Sequence, residues 1–437
     1  MAATPKIIVL DDDPTGSQTV HGCLLLLRWD VETLVMGLQD ESPILFVLTN
    51  TRSMTPQQAN QVTREVCDNM REAIAQAGVE EFLVVSRSDS TLRGHYPVET
   101  DAIASEMGPF DAHFLTPAFF EGGRVTKNGV HYLMMDGKPV PVHETEFAQD
   151  SVFGYSHSHL PDYVEEKTGG RITADQVTVL QLKDIRRGVL ERLMTFSNNQ
   201  CVAVDAETQA DLNQFAQDVL TAAGQGKRFL FRSAASLLTA LANLPPQPVS
   251  AEDMAQFTGH QPGAVLVGSH VQMTTKQLYR LLEDPDTVGI EVEVARLVDG
   301  TTEDHKQLLG TTLDQATQAH SEGKTPVIYT TRKELTFPST DVRLTFGTAV
   351  SALLMDVVRG LPITIGYLIS KGGITSNDVL SDGLALRSAR LLGQVLPGCS
   401  IVRTPESHPR FPNLPVVLFP GNVGDVDGLL TVYQRLR

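Results

Sequence analysis

Residues 7–19 read IIVLDDDPTGSQT. An apolar, β-branched run ends abruptly in three adjacent aspartates, followed by Pro14, Thr15, Gly16 and Ser17. A run this short and uniformly apolar suits a strand buried on both faces of a parallel sheet. Three like charges at its carboxyl end repel one another and raise each other's pKa. Either the cluster is a solvated turn held by Asx hydrogen bonds, or a cation sits against it, or it does general-base or metal-binding work.

The same pattern recurs along the chain. Strands are expected at Ile44–Leu48, Phe82–Val85, His113–Leu115, Val177–Leu180, Val202–Val204 and Phe229–Phe231, then at Val265–Val267, Val327–Tyr329, Ile363–Ile369 and Val416–Phe419. Helical patterns lie between them. Thr55 is an N-cap before Pro56, apolar residues follow at Val62, Val66, Met70 and Ile74, and Gly78 closes the helix. Helices are also read over Ala206–Ala223 and Thr345–Val358. Strand–helix alternation predicts an α/β protein with right-handed crossovers. The chain has 437 residues, enough for two domains. The stretch Leu244–Gly263 holds four prolines and no strong strand, so it is read as a linker. The expectation is two domains, residues 1–243 and 255–437, each a largely parallel sheet flanked by helices.

A net charge of −17 argues against non-specific nucleic-acid binding, which needs a basic face. It leaves room for an anionic small substrate in a cleft lined by a few arginines. Cys23, Cys67, Cys201 and Cys399 show no zinc or redox spacing and read as buried thiols. The charged turn near the start leaves no room for a secretory leader, and no apolar run approaches the ~18 residues of a membrane span. A cytoplasmic protein is expected.

Ligands of open α/β sheets bind beyond the carboxyl ends of strands, so the residues after each run carry the functional signal. After Phe82–Val85 comes SRSDSTLRG, which places Arg87 and Arg93 around Asp89 with Ser88, Ser90 and Thr91. Arginine forks suit a carboxylate and hydroxyls suit a polyol, although an internal Arg–Asp ion pair fits the spacing equally well. Arg124, after a Gly-Gly turn, is a third candidate anion ligand. In the second half, GSH follows Val267, SKGGITSND follows Ile369 and PGNVG follows Phe419. Gly372, Gly373, Gly421 and Gly424 would let backbone N–H groups approach phosphate, or simply form turns. No Walker A loop or GxGxxG fingerprint is present. His157 and His159 lack partners at metal-ligand spacing and read as loop residues.

Taken together these motifs resemble the four-carbon acid sugar kinase family over nearly the whole chain. DDDPTGS is similar to its N-terminal Asp-Asp-x-Thr-Gly element, and SRSDSTLRGH to its Asp-Ser-Thr-Leu-Arg-Gly motif. PAFFEGGR, TEFAQDSVFGYSHSHL, GSHVQMTTKQ, GGITS and PGNVG resemble further family segments. The resemblance implies an N-terminal acid-sugar-binding domain, a C-terminal nucleotide-binding domain, and ATP-dependent phosphorylation of a sugar-acid hydroxyl with Mg²⁺. It implies Asp12 and Asp13 as catalytic residues, Asp12 being favoured as the base over Asp11 and Asp13. Arg87, Ser88, Asp89, Ser90, Arg93 and Arg124 would form the substrate side. Ser269, Lys371, Gly372, Gly373, Thr375, Gly421, Asn422 and Gly424 would form the ATP side, and the metal ligands are left open. Two departures stand out: an extra aspartate and a proline in the first motif, and Ile374 and Asn377 where an acidic residue and glycine are usual. Expected partners are a small sugar acid such as threonate, erythronate or oxo-tetronate, and ATP, with a homodimer as the candidate assembly and no nucleic acid or membrane. The competing readings are a non-catalytic sensor of the same ligands and a Rossmann-like oxidoreductase.

Overall fold

The computed structural model describes residues 5–135, 137–298, 300–332, 335, 337 and 340–437. The chain divides into two compact units, Met1–Pro245 and Pro246–Arg437.

In the first unit the strands are β1 (Lys6–Asp11), β2 (Leu24–Leu26), β3 (Ile44–Leu48), β4 (Phe82–Arg87), β5 (Ala112–Thr116), β6 (Arg124–Lys127), β7 (Val130–Met135), β8 (Lys138–Pro141), β9 (Thr178–Leu180), β10 (Gln200–Val204) and β11 (Phe229–Ser233). Its main sheet runs β2-β3-β1-β4-β11-β5-β10-β9, and every pairing is parallel. β6, β7 and β8 form a separate antiparallel sheet. The parallel strands are continuous apolar runs because helices cover them. On one side Ile8, Leu10, Val47 and Val84 pack against Val66 and Met70 of the helix Pro56–Ala77. That helix begins in a capping box between Thr55 and Gln58 and ends at Gly78 in the left-handed region (φ 67°), as its sequence predicts.

The second unit contains β12 (Ala264–Val267), β13 (Thr287–Val292), β14 (Thr325–Thr330), β15 (Leu368–Lys371), β16 (Ser388–Leu396), β17 (Cys399–Arg403) and β18 (Pro415–Phe419). Their order is β13-β14-β12-β15-β18-β17-β16, parallel through β18 and antiparallel from β18 to β16. Val265, Val327, Ile369 and Val417 share a core with Leu278 and Leu281 of the helix Gln272–Leu281 and with Leu429, Val432 and Leu436 of the last helix.

Several elements differ from the sequence reading. The run read as Ile363–Ile369 becomes a strand only at Leu368, because Pro362 and a turn at Ile363–Ile365 come first, leaving Ile363 exposed. β13, the β6–β8 sheet and the β16–β17 pair carry weaker or interrupted patterns and escaped it, and so did β2, although Leu24–Leu26 is an unbroken, buried apolar run. The proline-rich stretch read as a linker contains a 3₁₀ turn, Ala251–Phe257, whose Met254 is fully buried. All four cysteines are buried, and none forms a disulfide bond. Among the described residues, no helix is long and apolar enough to cross a membrane.

Candidate functional site

In the first sheet β1 lies between β3 and β4, so the chain leaves β1 towards one side and returns on the other. Such reversal points open a crevice at the carboxyl ends of the strands. Four neighbouring strands, β1, β4, β11 and β5, end in register at Asp11, Arg87, Ser233 and Thr116. All four residues are buried, and each keeps one atom without a hydrogen-bond partner: Asp11 Oδ2, Arg87 Nε, Ser233 Oγ and Thr116 Oγ1. Buried polar atoms are nearly always paired, so this row marks a place where an added polar group would bond.

The aspartates beside it have three different environments. Burial pushes the Asp11 carboxyl up to about 8, against the opposing charge of Arg87, and Gly16 packs so closely that a Cβ there would lie 2.0 Å from Asp11 Oδ1. Asp12 is gripped by Arg52, whose Nε donates to Oδ2 at 3.1 Å and whose Nη2 pairs with Oδ1; Ser88 Oγ lies 2.8 Å from Oδ2. Asp13 takes Arg52 Nη1 at 3.3 Å and the backbone N–H of Thr15 at 2.8 Å. Burial opposes ionisation of Asp13, but Arg52 and Thr15 outweigh it and hold the carboxyl below its ordinary range. The opening cluster therefore does meet a cation, and that cation is Arg52.

The loop after β4 is fixed from outside. His131 Nε2 donates to Ser90 O (2.8 Å), Tyr155 to Thr91 O (2.6 Å) and Tyr163 to Leu92 O (2.9 Å). Ser88 Oγ accepts from Arg232 Nη2 at 2.6 Å, while Arg232 Nη1 bonds Ser86 and Glu99. Gly94 (φ 128°) closes over this group: a Cβ there would lie 2.4 Å from Ser88 Oγ and 2.5 Å from Arg232 Nη2.

Asp89 and Arg93 pair with each other, Nε to Oδ2 at 2.7 Å, and Arg93 stacks on Phe147 with its carbon centre 5.0 Å from the ring centroid. The internal ion pair that the spacing allowed is thus formed. Despite burial, Arg52, Arg93 and Thr91 hold the Asp89 carboxyl well below the usual range. Arg124 has no carboxylate partner among the described residues; it donates from Nη1 to Gly122 O and leaves Nε buried and unbonded. Burial lowers its pKa.

In the second unit β12 is likewise flanked on both sides, by β14 and β15, with Val267 opposite Lys371. A cavity of about 1390 Å³ opens at these strand ends. Ser269, Gly372, Gly373, Thr375, Gly421 and Asn422 line it, as does Arg332 after β14. Gly372 has φ 127°, and a Cβ there would press Ser269 Cβ at 3.0 Å and Thr375 Oγ1 at 3.1 Å. The opposite wall is apolar, with Val294, Phe346, Val350, Leu354 and Met355, and Asp378 is the only acidic residue among the described lining residues. Burial raises the pKa of Asp378, which accepts from Ser351 and Asn377.

Two residues expected on the ATP side stand back from that wall. Lys371 is fully buried, donates to Pro420 O (2.6 Å) and Gly421 O (3.3 Å), and lies 3.8 Å from the Phe419 ring centroid. Gly424 (φ 78°) packs near Leu396 and Gln277. His159 bonds Asp162 at 2.9 Å, and no group of three or more metal-ligating side chains occurs among the described residues. The sequence reading missed Arg52, Arg232, Arg332 and Asp378. The three arginines follow the runs Ile44–Leu48, Phe229–Phe231 and Val327–Tyr329, so the strand-end rule applied to every run would have found them.

Residues 7–241 match the Sugar-binding N-terminal domain family and residues 264–429 the Nucleotide-binding C-terminal domain family. The chain belongs to the four-carbon acid sugar kinase family. A D-erythronate kinase of Heliobacterium modesticaldum is 23% identical over 465 residues, covering 99% of this chain and 97% of that protein. A D-threonate kinase of Bordetella bronchiseptica is 30% identical over 165 residues, 36% of this chain and 38% of that one. A solved Salmonella typhimurium LT2 protein, 20% identical, superposes with a TM-score of 0.71 over 98% of both chains, which shows the shared fold. The two strand-end sites of this four-carbon acid sugar kinase family member lie one in each matched domain.

Proposed function

We propose that this chain is an ATP-dependent kinase that phosphorylates a hydroxyl of a four-carbon sugar acid, such as erythronate, threonate or an oxo-tetronate. The observation that carries the reading is the joint match to a sugar-binding and a nucleotide-binding domain in one chain. The D-erythronate and D-threonate kinases among its relatives supply the substrate class.

In this reading the first domain, residues 1–243, holds the sugar acid. The unpartnered atoms of Asp11, Arg87, Ser233 and Thr116 offer hydrogen bonds to its hydroxyls. Arg124, which has no carboxylate within ion-pair distance among the described residues, takes the substrate carboxylate, and Arg93 supports it from its pairing with Asp89. Asp12 accepts the proton of the attacking hydroxyl, with Arg52 and Ser88 fixing its two oxygens. A carboxylate so well paired is a weak base, which phosphoryl transfer tolerates: its transition state is largely dissociative and needs alignment more than deprotonation. The hydroxyl oxygen bonds to the γ-phosphorus as the bond from phosphorus to the β,γ-bridging oxygen breaks, giving the phosphorylated acid and ADP.

The second domain, residues 255–437, binds ATP. Gly372, Gly373, Gly421 and Asn422 present backbone to the phosphates beside Ser269 and Thr375, and the apolar wall takes the adenine. Mg²⁺ typically takes one or two carboxylates and fills its remaining positions with phosphate and water. Asp378, a half-buried carboxylate and the one acid among the described residues of the cavity wall, fits that role in its ionised form and would hold the ion, which neutralises phosphate charge when bound. The test is ADP release with Mg²⁺·ATP and a panel of four-carbon acids in both configurations. Turnover with none of them, under conditions where the protein is folded, would overturn the reading and favour a ligand sensor.

A further inference from the structure

We infer that Arg332 is a phosphate-binding residue of the nucleotide cavity, anchored through one terminal nitrogen and offering the other two nitrogens to the polyphosphate tail. The inference rests on the reading of the second domain as the ATP site.

Arg332 follows β14 at the same sheet edge as the two glycine turns. Its Nη2 donates to Ser269 O at 2.6 Å and to Thr275 Oγ1 at 2.8 Å. Those bonds use both hydrogens of that nitrogen, because a guanidinium carries five N–H donors. The three hydrogens on Nε and Nη1 have no partner, and both nitrogens are buried in the wall of the cavity. No carboxylate lies within ion-pair distance of Arg332 among the described residues. Burial pulls its pKa down, outweighing the opposing influence of Tyr279, Glu291 and Tyr329.

The anchor also ties Arg332 to the rest of the site. Ser269, which takes its Nη2, is the residue that a Cβ at Gly372 would press at 3.0 Å, and its Oγ would lie 3.0 Å from a Cβ at Gly421. Both glycine turns thus close on the residue that holds the arginine. Nε and Nη1 lie on opposite sides of the planar guanidinium, with Cδ between them, so each can donate to a separate phosphate oxygen. An aliphatic or neutral ligand would leave those donors unpaired; an adenosine without phosphates would do the same.

The test measures ATP, ADP, AMP and adenosine binding to the full chain by calorimetry, for wild type, Arg332→Met and Arg332→Lys. Loss of these donors and their charge should weaken ATP and ADP by about tenfold or more in Arg332→Met, with adenosine affinity unchanged within about twofold. Arg332→Lys should fall between the two, since a point charge replaces the planar array of donors. Equal affinities for ATP in wild type and variant, or an equal loss for ATP and adenosine, would overturn the assignment. Should Arg332→Met fail to fold, the same comparison in Arg332→Lys decides. A wild type that binds no ATP overturns the nucleotide reading itself, whereas wild-type binding with an indifferent variant overturns only the role of Arg332.

Discussion

Arg87 Nε stands 3.9 Å from Asp11 Oδ1 on the neighbouring strand, close enough to feel its charge and too far to hydrogen-bond. Asp11 therefore remains a buried acid whose pKa burial raises to about 8, more than Arg87 can offset. An unfolded aspartate titrates near 3.9, so between about pH 4 and 8 the folded chain holds a proton that the unfolded chain has lost. Stability from this group falls as pH rises through that window, by at most about 1.4 kcal/mol per unit. Asp11→Asn cannot titrate and should show a flatter profile from pH 5 to 8 in denaturant titrations. Parallel profiles for variant and wild type would count against the raised pKa.

Asp12→Asn should lower kcat by about 10²–10⁴ while leaving ATP affinity near wild type, because the loss falls on the proton acceptor. Arg52→Lys keeps a charge but not the two-pronged grip on Asp12, and should lower kcat less. Steady-state kinetics of the two variants with the best acid of the panel separates these effects. Near-native turnover in Asp12→Asn would move the role to Asp11 or Asp13.

Arg93 and Arg124 should respond differently to truncation. Arg93 is paired with Asp89 and stacked on Phe147, so Arg93→Met should lower the melting temperature, breaking a partly buried ion pair. Arg124 has no carboxylate partner among the described residues, so Arg124→Met should stay folded and raise KM for sugar acids by about tenfold or more. Uncharged polyols should not feel the loss. The reverse assignment, KM in Arg93→Met and melting in Arg124→Met, would return the carboxylate clamp to Arg93.

Lys371 shapes the second site from behind. Burial pulls its pKa down to about 7. Between about pH 7 and 10 the unfolded chain keeps a proton on this lysine that the folded chain has released, so stability from the group rises with pH. Lys371→Met should lack that rise between pH 7 and 9.5. It should also weaken ATP by about three- to tenfold, because the carbonyls of Pro420 and Gly421 lose their donor. Unaltered ATP affinity would show that the turn holds itself.

The strand ends were the legible part of the sequence. Apolar runs bounded by aspartates or glycine pairs give β1, β4, β12, β15 and β18 and most of the residues at the two sheet edges. What stayed hidden has physical causes. β13 and β16 alternate buried positions with exposed or half-buried ones and so lack a continuous buried apolar run. Arg52 and Arg332 are single arginines after a strand and Arg232 is one near a strand's end, and such residues look like ordinary surface charges until the fold brings Asp12, Ser88 and Ser269 beside them. Asp89 and Arg93 show the converse. Their motif was plain, yet i,i+4 spacing in a loop fits an ion pair and a ligand clamp alike, and the structure shows the pair.

The three carbonyls of Ser90, Thr91 and Leu92, each held by a side chain from a distant part of the chain, bear on binding heat as well as shape. A free loop loses conformational entropy when it grips a ligand, about 1–2 kcal/mol per residue fixed. Here the ordering is complete once the chain has folded. A sugar acid meeting this loop encounters a surface already set, and its binding enthalpy is not offset by the freezing of the groups that receive it.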